Sequence, residues 1–291
     1  MLCTLCPRKC LAIRDEKTGL GFCKMPQTIA VAKAYLHKWE EPCISGENGS
    51  GTIFFSGCSL GCVFCQNEEI SHKNFGKLIS VERLAEIFYE LEKSGAHNIN
   101  LVNPTHYISE IKRAVDIYRP KIPILYNSGG YDTTEAIALA AEFCDIFLMD
   151  MKYSDSLRAL KYSKAHDYPA VCKNAILKCA EVIKENIFDS NGLMKKGLII
   201  RHLILPQGTN DALSVIDWIE QNVPWAVFSL MSQYTPFGDL ENYKEINRRI
   251  TKREYQKVLD AASMSNIKKI YTQELSSSNE CYIPMFDLSG V

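Results

Sequence analysis

From Gly51 onward, short runs of apolar and β-branched residues alternate with longer stretches whose apolar positions recur at helical spacing. The short runs predict strands over 52–56, 98–102, 122–127, 146–151, 198–205, 226–232 and 269–273. The longer stretches predict helices over 81–94, 108–118, 134–143, 168–186, 211–221 and 252–263. Strands that are apolar along nearly their whole length are expected where helices cover both faces of a parallel sheet. Right-handed crossovers would curl six such units into a barrel or part of one. The expected fold class is therefore α/β, a barrel or partial barrel, with its chemistry where the strands end. Residues 1–50 break the pattern, with clustered Cys, Pro and Gly and little periodicity. They are read as a small Cys-rich N-terminal appendage, and 51–291 as the barrel with a C-terminal extension.

Composition narrows the setting. At 46% hydrophobic and 23% charged, the 291-residue chain has the apolar content to bury a core. The formal net charge of -1, from 33 basic and 34 acidic residues, creates no global field toward nucleic acid or anionic membrane. The sequence has neither a signal-peptide apolar segment at its N-terminus nor a run of about 18 apolar residues that would span a bilayer. These features point to the cytoplasm, with no nucleic-acid or membrane partner. Twelve cysteines then need a reason. Disulfides do not persist in a reducing compartment, so metal is the natural one.

The sharpest chemical signal is Cys58, Cys62 and Cys65, spaced C-x3-C-x2-C on the loop that leaves the first barrel strand. A cubane iron–sulfur cluster ordinarily takes four thiolates, so three leave one iron open to another ligand. A structural zinc knuckle is the competing reading, but closed zinc sites take four ligands and no second half follows here. Cys3, Cys6, Cys10 and Cys23 form a separate quartet, enough to close a second metal site, zinc or an auxiliary iron–sulfur cluster. Cys43 could substitute as a ligand or lie near the active site. Cys144, Cys172 and Cys179 stand in apolar surroundings and are expected in the core, and Cys281 has no readable role.

The loop Phe54-Phe55-Ser56-Gly57-Cys58-Ser59-Leu60-Gly61-Cys62-Val63-Phe64-Cys65 resembles the radical S-adenosylmethionine (SAM) superfamily, whose motif is C-x3-C-x-aromatic-C, with Phe64 as the aromatic. The likeness extends through the strings over 37–46, 98–106, 150–153 and 201–206. It is strongest to proteins related to pyruvate formate-lyase activating enzyme, in a branch with an N-terminal Cys cluster. The resemblance implies a partial (β/α)6 TIM-like barrel and a [4Fe-4S] cluster whose open iron is chelated by SAM. Reductive cleavage then gives methionine and a 5′-deoxyadenosyl radical that abstracts hydrogen. It implies as well a flavodoxin- or ferredoxin-type electron donor and, in activating enzymes, a glycyl radical installed on a partner protein.

Polar residues at strand ends are the candidate SAM contacts. Asn103 and Thr105 close the second strand, where activating enzymes carry a Gly-Gly-Glu string from which this sequence departs. Asn127 ends the third strand, followed by Gly129 and Gly130, which permit close backbone approach to a ligand or form a plain turn. Asp150 and Lys152 point to one face of the fourth strand, either as a buried ion pair or, as family members imply, beside the methionine part of SAM. His202 stands in an apolar strand. There a lone His is usually a core residue, but the family context implies contact with SAM. Gln233 and Tyr234 could face substrate or edge the core. The leading expectation is a radical SAM enzyme acting on a protein or peptide. A small metabolite as substrate and a non-enzymatic electron carrier or sensor are the alternatives, and turnover of SAM to 5′-deoxyadenosine would exclude the latter.

Overall fold

The computed structural model describes residues 2–273 and 284–291. Seven parallel strands make its frame: β2 (Ser50–Phe55), β4 (Ile99–Val102), β5 (Ile124–Ser128), β6 (Ile146–Asp150), β8 (Met194–Leu203), β9 (Val227–Met231) and β10 (Lys269–Thr272). The remaining strands are β1 (Ile29–His37), β3 (Lys77–Ile79) and the short β7 (Ile187–Phe188). The sheet order is β10-β9-β8-β6-β5-β4-β2-β1-β3, with β7 paired to β8, so the barrel is partial, as the family resemblance implies.

Strand β1 corrects the expectation of little regular structure in residues 1–50. It runs antiparallel to β2 and β3 and extends the sheet. Its alanines, weak strand formers, hide it in the sequence, and a register shift between Val31 and Lys33 breaks its alternation. The short helix α6 (Ser156–Ser163) is likewise absent from the sequence pattern, because two turns carry too little periodicity.

Helix starts follow their caps. The Ser80 hydroxyl accepts from the Arg83 amide at the head of α3 (Val81–Lys93), and Thr251 with Glu254 forms a capping box on α9 (Lys252–Met264). The helix-facing side of the sheet holds Leu101, Tyr126, Phe147, Ile200 and Phe228 in the main core. Alternation turns Leu125, Leu148, Ile199 and Val227 the other way, where Cys43 and Ile44 of the single-turn helix α1 (Pro42–Ser45) pack on them. That plug fills one end of the inner face and leaves the strands' C-terminal ends open. No helix among the described residues is long and apolar enough to cross a membrane.

Candidate active site

The period of two that buries Leu125, Leu148 and Ile199 inside carries Asn127, Asp150 and Arg201 onto the same inner face, nearer the strand ends. They line a cavity of about 570 Å³ together with Cys58, Cys62, Cys65, Asn103 and Lys152. Of the candidate SAM contacts, Asn103, Asn127, Asp150 and Lys152 are thus brought together. Gln233 and Tyr234 reach the wall as well. Tyr234 is nonetheless 2% exposed and donates its hydroxyl to the Ile246 carbonyl at 2.8 Å, which fits the core-edge reading.

Thr105 and His202 are not brought to this wall. Thr105 is buried in a 3-10 turn, where its hydroxyl donates to Asp132 at 2.5 Å beside the hydroxyl of Tyr126. His202 follows Arg201 in β8 and so faces the helices, its Nδ1 2.7 Å from the Met151 carbonyl. Gly130 has φ +78°, but what approaches it is protein: a Cβ there would collide with the Asp150 carbonyl oxygen and lie 2.8 Å from Cys172 Sγ.

Each thiol of the loop receives a hydrogen bond. The Leu60 amide donates to Cys58 Sγ at 3.3 Å, the Ser163 hydroxyl to Cys62 Sγ at 3.0 Å, and the Ser71 hydroxyl to Cys65 Sγ at 3.2 Å. Burial first, then the neighbouring Cys62 and Cys58 sulfurs, push the Cys65 thiol up to about 12. Burial also raises Cys62, against which the Lys152 ammonium acts. Thiols that crowd and oppose each other's ionisation are held as thiolates by a bound cation, and sulfur-directed donors are what a cluster's ligands need. Among the described residues no three His, Cys, Asp or Glu side chains converge as ligands of a single ion. A cubane makes no such demand, because each thiolate binds a different iron. Phe64 packs edge-on against Tyr234 and Tyr162, with ring centroids 5.7 and 6.4 Å away, and so fixes the loop between Cys62 and Cys65.

The floor of the cavity is an ion network larger than the Asp150–Lys152 pair that the sequence brought forward. Arg201 donates Nε–H to Asp150 at 2.8 Å, an Nη1–H to Glu40 at 3.0 Å and an Nη2–H to Asn127 Oδ1 at 2.9 Å. Lys152 reaches the other oxygen of Asp150 at 2.7 Å. Burial disfavours the Asp150 carboxylate, but Arg201 and Lys152 outweigh it and hold the group down at about 2. Asn100 and Asn127 donate to the remaining oxygen of Glu40. Glu41, beside it, is raised by burial, and its Oε2 is buried without a hydrogen bond. The missed signal for Arg201 was parity, since it shares an inward phase with Ile199 whereas His202 does not.

Cys3, Cys6, Cys10 and Cys23 line a second, much smaller cavity with Arg14, Phe22, Met25 and His106, without three of them closing on one ion. Burial, and then the Cys23, Cys3 and Cys10 sulfurs against one backbone hydrogen bond, push the Cys6 thiol up to about 12. Cys43 reaches neither thiol group. It is buried in the inner plug, where burial raises it to about 11 and the Tyr271 hydroxyl faces it. Cys144, Cys172 and Cys179 are buried in the core, and Cys281 lies outside the described residues.

The arrangement has relatives. "Uncharacterized protein MJ0674" of Methanocaldococcus jannaschii is 30% identical over 279 residues, covering 92% of this chain and 76% of its own length. Among solved structures, HydG, a maturase of the [FeFe]-hydrogenase, superposes with a TM-score of 0.51 at 12% identity, covering 80% of this chain and 53% of that one. SuiB of Streptococcus suis, solved bound to S-adenosylmethionine, gives 0.49 at 15% identity over 76% and 46% of the two chains. The chain thus spans about half the length of these two solved proteins, and the likeness to HydG is one of fold. The family model described as the radical SAM superfamily matches residues 52–218, which include the three-cysteine loop, the strands carrying Asn127, Asp150 and Arg201, and Lys152 just beyond β6, and the chain belongs to that superfamily.

Proposed function

We propose that this protein is a radical SAM enzyme acting on a protein or peptide, in the manner of the glycyl radical activating enzymes. In this reading Cys58, Cys62 and Cys65 hold the [4Fe-4S] cluster that the superfamily implies. The observation that carries it is the placement of these three thiols on one cavity wall with Asp150, Lys152 and Asn127. When bound and reduced, the cluster supplies the electron that breaks a carbon–sulfur bond of SAM, giving methionine and a 5′-deoxyadenosyl radical able to take a hydrogen atom.

The chain's own residues prepare for that chemistry. Lys152 pairs with Asp150 and its charge acts on the Cys62 thiol, so its ammonium is set to meet a carboxylate beside the cluster. Asp150 and Glu40 balance Arg201 and Lys152 in charge. A balanced floor suits the zwitterionic methionine part of SAM, since neither of its charges is met by an excess of one sign. The exposed Trp39 and the amide of Gln66 line the same cavity and suit an apolar or amide-bearing peptide more than a highly charged metabolite. Cys3, Cys6, Cys10 and Cys23 hold a second metal site in this reading, and a flavodoxin- or ferredoxin-type protein of the cytoplasm delivers the electron.

Reconstituted protein, incubated anaerobically with dithionite and SAM, is expected to release 5′-deoxyadenosine and methionine. A protein that holds its cluster but releases neither would be an electron carrier or sensor. Electron paramagnetic resonance of a glycyl radical enzyme mixed with the reaction tests the activase role; absence of a glycyl radical under SAM turnover would remove it.

A further inference from the structure

The N-terminal cysteine segment does not simply precede the barrel but lies on the three-cysteine loop. A Cβ at Gly57 would meet Met25 and the Cys23 carbonyl, and one at Gly61 would touch the Phe22 ring. Arg8, between Cys6 and Cys10, makes the most specific of these contacts. Its Nε–H donates to the Ser59 carbonyl at 2.7 Å, and its Nη2 donates to the carbonyls of Ser163 at 2.8 Å and Leu60 at 3.2 Å. Nη1 donates to the Lys164 carbonyl. The guanidinium carbon lies 4.0 Å from the centroid of Phe22 and 5.3 Å from that of Tyr131.

Two of these acceptors are the residues that serve the thiols. Leu60 gives its amide to Cys58 Sγ and its carbonyl to Arg8. Ser163 gives its hydroxyl to Cys62 Sγ and its carbonyl to Arg8. One planar fork thus holds the backbone of both residues that donate to two of the three sulfurs, Leu60 through its amide and Ser163 through its hydroxyl, although they stand more than a hundred residues apart in the chain. Hydrogen bonds to sulfur and nearby charge are among the terms that set an iron–sulfur potential.

We propose that Arg8 is a positioning residue for the barrel cluster: it fixes the Leu60 and Ser163 donors on Cys58 and Cys62, so that the N-terminal cysteine segment sets the cluster's reduction potential. This rests on the reading of Cys58, Cys62 and Cys65 as cluster ligands. Losing the fork loosens two sulfur-directed donors and removes a positive charge, both of which disfavour the more negative, reduced cluster. The potential therefore falls.

The test compares wild type with Arg8→Met, which keeps the stem packed on Phe22, and with Arg8→Lys, whose single ammonium keeps the charge but cannot span four carbonyls. Potential is read on the paramagnetic signal that responds to added SAM. Amide exchange over residues 58–65 and 160–165 is read on protein without any cluster. Arg8→Met is expected to lower the potential by a tenfold change in the reduction equilibrium, about 59 mV for one electron. Both variants are expected to raise exchange in the two segments and leave it unchanged in β8 and β9. If Arg8→Met matches wild type in either potential or exchange, or if Arg8→Lys restores both, the proposal is overturned. Exchange needs no cluster, so its outcome is independent of whether wild type cleaves SAM. Should Arg8→Met fail to fold, Arg8→Lys alone decides through its exchange pattern.

Discussion

Arg201 and Asp150 stand opposite each other in the parallel pairing of β8 with β6, and the Arg201 Nε–H reaches Asp150 Oδ1 at 2.8 Å. Asp150 therefore does not depend on Lys152 for a partner. The pair expected from the D-x-K spacing is present, but it is one arm of a larger network in which Arg201 also holds Glu40 and Asn127.

That relationship separates two substitutions. Lys152→Met deletes an ammonium whose side chain is 25% exposed and leaves Asp150 still paired to Arg201. We expect a near-normal melting temperature and SAM binding weakened at least tenfold, about 1.4 kcal/mol. A SAM titration beside a melting curve measures both, and unchanged affinity would remove Lys152 from the SAM site.

Arg201→Met should behave differently. It removes the ion-pair partner of Glu40, which keeps only the Asn100 and Asn127 amides, and leaves Asp150 with Lys152 alone in a mostly buried setting. Breaking a buried pair in this way costs roughly 3–5 kcal/mol. Chemical denaturation should show that loss; a variant as stable as wild type would mean that water reaches the floor of the cavity.

Changing Cys58, Cys62 or Cys65 singly to Ala should abolish 5′-deoxyadenosine formation while circular dichroism stays near wild type. For the other quartet, the variant lacking Cys3, Cys6, Cys10 and Cys23 should lose one metal site's worth of zinc, or of iron and sulfide, by elemental analysis. Unchanged metal content would show that the segment carries none.

Thr105 and His202 are expected to act through stability. His202→Gln and Thr105→Val should each lower the melting temperature by breaking a buried hydrogen bond, at roughly 1–3 kcal/mol. Their SAM dissociation constants should stay within twofold of wild type, and a tenfold rise for His202→Gln would return that residue to the SAM site.

Buried histidines set an acid limit. Burial, with Arg201 adding to it, holds His37 down from 6.5 to about 4; burial and then Arg14 hold His106 down to about 3. Both are neutral in the fold, whereas the unfolded chain takes up protons as pH drops below about 6.5. Their stabilising effect is complete above that pH and is lost as pH falls toward 4, at up to ~1.4 kcal/mol per pH unit for each. Denaturation of metal-free protein from pH 7.5 to 4.5 should show this slope, and His37→Gln should remove the His37 share of it, leaving that of His106.

The sequence by itself determined the parallel strands, the helices between them and the three-cysteine loop, because each is written in local spacing: apolar runs, helical periodicity and thiols within eight residues. It also brought forward Asn103, Asn127, Asp150 and Lys152, since strand ends can be counted along the chain. Only the tertiary structure decided which face each polar group took. Arg201 points inward and His202 outward, because one residue's step reverses direction in a strand. Glu40 reaches Arg201 across 161 residues of chain, and Arg8 reaches Ser163 across 155, through contacts that no local period encodes. Strand β1 and the seat of the cysteine segment on the cluster loop belong to the same class. They are set by long-range pairing and packing, in which alanine-rich or aperiodic residues are held by partners far away in sequence.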